Sequence, residues 1–251
     1  MTLIVLLLSI QLLWAEESFW KEDLIKAAFP NSQCKTIKNK CHTKLCVINT
    51  NHFSQPMAVI LPQEPAQIFR IHFLGHTSNN GKPISQNGYY DHDLTTAVLN
   101  FDFSNRACGK KSNEVIVIPW SQGKCENYDR EIINAKDFLR HFDTLIDIFN
   151  LPLHLSAHSG GGRVLSRILE TKSDLNFKIK NLTLYDGIYS QKEALRFSKW
   201  ILENPDVHFR NVTLINGIPD QLTQKYLPLK KLEWTRLFPK ESDHWDLVRR
   251  Y

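Results

Sequence analysis

Ser159, His244 and two aspartates lying between them in sequence, Asp186 and Asp220, are the residues of this chain whose types and spacing could do chemistry together. A serine hydroxyl is a poor nucleophile by itself. It needs a base to take its proton, and the base needs an acid to orient it. Ser159 stands in Ser-Ala-His-Ser-Gly-Gly-Gly, residues 156–162, after the apolar Leu151, Leu153 and Leu155. Val164, Leu165, Ile168 and Leu169 follow at helical spacing. The pattern predicts a strand, a very tight turn with Ser159 at its apex, and a helix. Small neighbours let the two backbones approach, and the amide of Gly160 falls at a helix N-terminus, where it can stabilise a negative oxygen. A phosphate loop is the other use of such a turn, but the lysine of G-x-x-x-x-G-K-[ST] is missing.

The segment resembles the nucleophile elbow of the α/β-hydrolases, G-x-S-x-G, with Ala157 in place of the first glycine. The resemblance implies a three-layer α/β fold with a mainly parallel central sheet. It also implies a triad in the chain order serine, acid, histidine. Downstream of Ser159 the histidines are His208 and His244. His208 precedes the apolar run 212–215, at the start of a strand and so on the wrong edge of a parallel sheet. His244 lies in a loop after the last strand candidate, 232–238, where the base is expected. Asp186 ends the strand candidate 181–185, and Asp220 follows the next one in Gly-Ile-Pro-Asp, the G-x-x-D turn of many such hydrolases. The pairing of A-H-S-G-G-G-R with L-Y-D-G-I-Y is similar to a group of exported bacterial hydrolase-like proteins and points to Asp186. Both acids stay open at this stage, the loser serving as a helix cap or turn former. A second oxyanion donor is expected from the polar loop after strand 66–74, at Gly75 and His76.

The elements that must position these residues follow from periodicity. A helix is expected over 17–29, loop or a short hairpin through the cysteine-bearing residues up to 52, and strands over 57–61 and 66–74. A doubly buried strand over 114–119 (EVIVIP) comes next, then a long amphipathic helix over 128–149. Strands alternating with helices imply parallel pairing with helices on both faces, and ligands at the carboxyl ends of the strands. The organisation expected is a signal peptide over 1–15, an N-terminal helix and cysteine segment over 16–56, and a hydrolase-like domain over 57–251.

Length and charge narrow the class. The 251 residues, 42% hydrophobic, are enough for one sizeable core. A net charge of +5, with no basic block longer than a pair, gives no reason to expect nucleic acid. The apolar run from Leu3 to Leu13, closed by Trp14-Ala15, has the length of a secretory h-region and is short for a membrane span. Export to the periplasm or the exterior fits the five cysteines. Cys108 and Cys125 are a plausible bridge. One pair is expected among Cys34, Cys41 and Cys46, whose spacings lack a C-x-x-C knuckle and so do not suggest a metal. Tyr89-Tyr90-Asp91-His92-Asp93 reads as a solvated loop rather than a metal site. Asn181 and Asn211 begin glycosylation sequons.

The expected activity is therefore that of an exported serine hydrolase. It would cleave a carboxylic ester of a small-molecule or cell-envelope acyl substrate through an acyl-enzyme, with no metal or organic cofactor. Amide or peptide cleavage is the alternative chemistry, and a catalytically silent hydrolase fold used for binding is the alternative class. Trp120, Tyr89, Tyr90, Tyr189 and Trp245 are candidates to line the cleft.

Overall fold

A computed structural model describes residues 20–37, 43–50, 56–75, 78–79, 82–83, 103, 107, 113–119, 142–171, 178–238, 244 and 247–248. The expected signal peptide, Cys41, Cys108, Cys125, His76, Tyr89, Tyr90, residues 91–93, Trp120 and Trp245 lie outside these residues. In chain order the main elements are α1 (Trp20–Ala28), β1 (Gln33–Thr36), β2 (Lys44–Ile48), β3 (Met57–Leu61), β4 (Ile68–Phe73) and β5 (Glu114–Pro119). They continue with α2 (Asp143–Phe149), β6 (Leu153–His158), α3 (Gly161–Glu170), β7 (Ile179–Tyr185), α4 (Gln191–Glu203), β8 (His208–Leu214), α5 (Ile218–Tyr226) and β9 (Glu233–Leu237).

The nine strands form one sheet in the order β1-β2-β3-β5-β4-β6-β7-β8-β9. From β5 through β9 every neighbouring pair is parallel, while β1, β2 and β3 join antiparallel at one side. The apolar runs MAVIL and EVIVIP are buried at every position, as strands covered on both faces must be. The three-layer, mainly parallel architecture expected from the alternation is present.

Each face of the sheet has its own core. Phe69, Ile71, Phe73, Val115, Val117, Leu153, Leu155, Ala157, Leu182 and Leu184 pack with the buried sides of α2, α3 and α4. The alternate positions, including Ile116, Ile118, Tyr185 and Val212, pack with Phe103, Ala107, Leu247 and Val248. This division follows from the two-residue period of a strand. The second face also holds polar groups that the sequence did not announce. Arg70 on β4 makes a bidentate pair with Glu114 on β5, at 2.6 and 2.7 Å, and His72 Nδ1 lies 2.8 Å from Ser156 Oγ. Glu114 beside the Arg70 guanidinium overcomes the cost of burial and raises the affinity of Arg70 for its proton.

The cysteine segment is part of this sheet. Cys34 faces Cys46 across the β1–β2 ladder and the two form a disulfide, so Cys41 is the member of the early group left out of that bond. β2 pairs in turn with β3, and the ladder crosses the boundary expected at residue 57 without a break. α1 is tied in as well: Lys21 Nζ donates to the carbonyl of Phe149 at 3.3 Å and lies over its ring. Asn211, in one of the two sequons, is fully buried on β8 and donates through Nδ2 to Thr223 Oγ1 at 2.7 Å. It is a structural amide, closed to a glycosylating enzyme in the folded chain.

Candidate active site

Ser159 sits between the last residue of β6 and the start of α3, with φ at 51°. A positive φ at a residue with a side chain costs about 1–3 kcal/mol and persists only where the surroundings enforce it. Here they do. The Ser159 amide donates to the carbonyl of Tyr185 at 3.0 Å, and the Ser159 carbonyl accepts from the Gly162 amide at 2.9 Å. α3 can begin this abruptly because its first residues have no side chains. A Cβ on Gly162 would lie 1.8 Å from the carbonyl oxygen of Gly187, and one on Gly161 would lie 2.3 Å from that of Phe73. The elbow is thus pressed between the ends of β4 and β7.

The end of β4 supplies the loop expected to complete an oxyanion hole. A Cβ on Gly75 would come within 2.6 Å of Ser159 Cβ and 3.1 Å of Ser159 Oγ, so this backbone runs directly against the serine. Gly160 is the N-cap of α3, where helix amides face outward.

Asp186 is the residue after β7 and also has a positive φ, 50°. Its amide donates to the Val212 carbonyl at 2.8 Å, and its Oδ1 accepts from the Leu214 amide at 3.4 Å. The other oxygen, Oδ2, lies 2.8 Å from Nδ1 of His244. A carboxylate can only accept, so Nδ1 donates this bond, and in the neutral imidazole the lone pair is then on Nε2. Asp186 is nearly buried and His244 is half-buried. The helix-cap alternative for Asp186 is filled by another residue. Ser190 Oγ caps α4 by accepting from the Glu193 amide at 3.2 Å, and the Glu193 carboxylate accepts in return from the Ser190 amide at 3.1 Å.

Asp220, the competing acid, faces elsewhere. It lies in the first turn of α5 and binds Arg236 through both oxygens, at 2.8 and 2.7 Å. Thr213 Oγ1 and the Asn216 amide donate to it at 3.0 and 3.1 Å. Burial would raise its proton affinity, but the bonds from Arg236, Asn216 and Thr213 prevail and hold it below the usual aspartate range. His208 stands at the opening residue of β8, exposed beside Glu233, at the opposite end of the sheet from Ser159.

The sequence reading passed over His158, the residue before the serine. Its ring is fully buried, and Nε2 lies 2.9 Å from the backbone carbonyl of His244. The two imidazoles are 4.5 Å apart, centre to centre. Burial, and then the neighbouring His244, hold its proton affinity well below that of an ordinary histidine, against the pull of the carbonyl bond. Strand parity puts His158 on the same face as His154 and Ser156. Nothing in the sequence says that the C-terminal segment returns over that face. Of the aromatic residues proposed for the cleft, Tyr189 is described: it is exposed, with its ring edge-on to His244 at 6.5 Å. Among the described residues no group of three or more histidine, cysteine or carboxylate side chains could hold a metal ion. Nor is any helix among them long and apolar enough to cross a membrane.

No family model matches the chain, and no curated protein matches it. Solved structures resemble it in outline. An inhibited esterase B from Lactobacillus rhamnosis is 11% identical, with a TM-score of 0.46 over 98% of this chain and 90% of that one. A structure described as arylesterase is 13% identical, with a TM-score of 0.46 over 91% and 87%. A mutant of the esterase rPPE is 12% identical, with a TM-score of 0.49 over 86% and 78%. The mainly parallel sheet, the helices covering it and the strained serine turn after β6 give this chain the fold of the α/β-hydrolases.

Proposed function

We propose that the protein is an exported serine hydrolase that cleaves a carboxylic ester, with Ser159 as nucleophile, His244 as base and Asp186 as the acid that orients it. The observation that carries this reading is the 2.8 Å contact between Asp186 Oδ2 and His244 Nδ1 at the end of the sheet where the elbow holds Ser159. It fixes the tautomer in which Nε2 can take a proton.

In the proposed reaction Ser159 Oγ attacks the carbonyl carbon and its proton passes to His244 Nε2. The oxygen of the tetrahedral intermediate is held by the Gly160 amide and by amides of the loop that starts at Gly75, with His76 as the further donor. The bond to the leaving alcohol then breaks as His244 returns the proton to that oxygen. Water, deprotonated by the same histidine, attacks the acyl-serine. This releases the carboxylic acid and restores Ser159. The imidazolium formed midway is stabilised by the Asp186 carboxylate. Ester cleavage is preferred over amide cleavage because the C–O bond of an ester breaks with less help from the protonated histidine than the C–N bond of an amide. Export is supported by the apolar N-terminal run and by the Cys34–Cys46 disulfide.

Intact mass after exposure to a fluorophosphonate tests the reading directly. The wild-type chain should gain one adduct, Ser159→Ala none, and His244→Ala should label far more slowly. A folded wild type that stays unlabelled and does not hydrolyse short-chain nitrophenyl esters would overturn it in favour of a silent binding protein.

A further inference from the structure

We infer that His158 is a positioning residue for the base, its Nε2–H tethering the backbone carbonyl of His244 so that the imidazole stays in register with Ser159. The inference rests on the hydrolase reading of the site, but the geometry behind it stands separately. A carbonyl oxygen only accepts, so the 2.9 Å contact requires the proton on Nε2 of His158. His158 is rigid: it ends β6, its ring is fully buried, and the next residue is the strained Ser159. His244, in contrast, belongs to no helix or strand. The side chain of His244 is held by Asp186 and its main chain by His158, and two anchors at different points fix both the place and the rotation of the ring.

One consequence is that nucleophile and base share a support. His158 and Ser159 are consecutive, so any shift of the elbow carries the base with it through the tether. A second follows from charge. The reaction makes His244 transiently cationic, and a charged neighbour 4.5 Å away would oppose that; burial keeps His158 neutral. A neutral imidazole gives the donor without the repulsion, whereas lysine or arginine at 158 would not.

Three variants separate positioning from packing. In His158→Gln the side-chain amide reaches about as far as Nε2. In His158→Asn it stops near the level of Nδ1, and His158→Leu has no donor. The fluorophosphonate reaction gives a limiting labelling rate and a half-saturating probe concentration for each. The limiting rate is expected to fall by about 10- to 100-fold in the leucine and asparagine variants, the cost of a small misplacement of a reacting group. Half-saturation should hold steady, and glutamine should recover the rate to within about 3-fold of wild type. Amide exchange at Leu247 and Val248 should quicken in the leucine and asparagine variants and not in glutamine.

Equal rates and equal exchange across wild type, leucine and asparagine would overturn the tether, as would a loss in glutamine matching that in leucine. If leucine does not fold, the glutamine–asparagine contrast decides alone. If the wild type does not label, the hydrolase reading falls, and the exchange pattern still decides whether His158 holds the segment.

Discussion

The carboxylate of Asp186 meets Nδ1 of His244 at 2.8 Å although the two residues are 58 positions apart. Leu214 donates its backbone amide to the other carboxylate oxygen. The strand next to β7 therefore helps aim this carboxylate at the imidazole of His244.

Asp186→Asn and Asp220→Asn should differ in kind. An amide at 186 can present its N–H to His244 and favour the tautomer with the proton on Nε2, which cannot act as base. The labelling rate should fall by about 100- to 10,000-fold while the fold is kept. An amide at 220 weakens the pair with Arg236 and should lower stability by about 1–3 kcal/mol in urea titration, with labelling within a few-fold of wild type. A slow Asp220→Asn beside a fast Asp186→Asn would reassign the acid.

That contrast also marks what the sequence could reveal. Ser159 was legible because a tight strand–turn–helix demands small residues in a row, and demands of backbone geometry are local. The strand 114–119 was legible for a similar reason: burial on both faces leaves a nearly continuous apolar run. The choice between Asp186 and Asp220 was not legible, since both follow a strand on the same edge of the sheet. What distinguishes them lies outside their own segments: Arg236 on β9 pairs with Asp220, and Ser190 rather than Asp186 caps α4. Likewise Arg70 and His72 look like interruptions of an apolar strand until Glu114 and Ser156 are seen beside them. Pairings between distant strands leave no trace in local periodicity.

Two glycines should fail differently when changed to alanine. At Gly162 the new methyl would meet the Gly187 backbone at 1.8 Å, where neither partner can rotate away. Gly162→Ala should be poorly folded, with a loss of several kcal/mol or no cooperative transition. At Gly75 the obstacle is the Ser159 side chain, 2.6 Å from the new methyl. Because a Cβ is fixed to its own backbone, the main chains at Gly75 and Ser159 must move apart. Gly75→Ala should lose less stability than Gly162→Ala and label at least about 10-fold more slowly, because a displaced Ser159 is misaligned with His244 and the oxyanion donors. A Gly75→Ala protein that labels at the wild-type rate would remove this loop from the site.

His158 gives stability a pH dependence whose sign is determined by its environment. In the folded chain it binds a proton only well below 6.5, whereas in the unfolded chain it titrates near 6.5. Below about pH 6.5 the unfolded state holds the extra proton, so stability falls with falling pH, by up to about 1.4 kcal/mol per pH unit. Glutamine does not titrate. The stability advantage of wild type over His158→Gln should therefore shrink between about pH 6.5 and 5 and be constant above about pH 7.5. Urea midpoints at four or five pH values measure this. An unchanging difference would mean that His158 is protonated as easily in the folded chain as in the unfolded one.

The Cys34–Cys46 disulfide closes a loop with a sequence separation of 12 at the antiparallel side of the sheet. Cross-linking a loop of about this length removes unfolded-state entropy corresponding to about 3 kcal/mol at most. The loss should be visible because β1 is an edge strand of four residues, mostly exposed, with little burial of its own. Replacing both cysteines by alanine should lower the urea midpoint and speed amide exchange in β1 and β2. The site should be untouched, since β3, β5 and β4 separate β2 from β6. The double variant is thus expected to label at the wild-type rate under conditions where it is folded. A matching loss of labelling would mean that strain at this edge reaches the elbow through the sheet, and that the disulfide supports the active site as well as the fold.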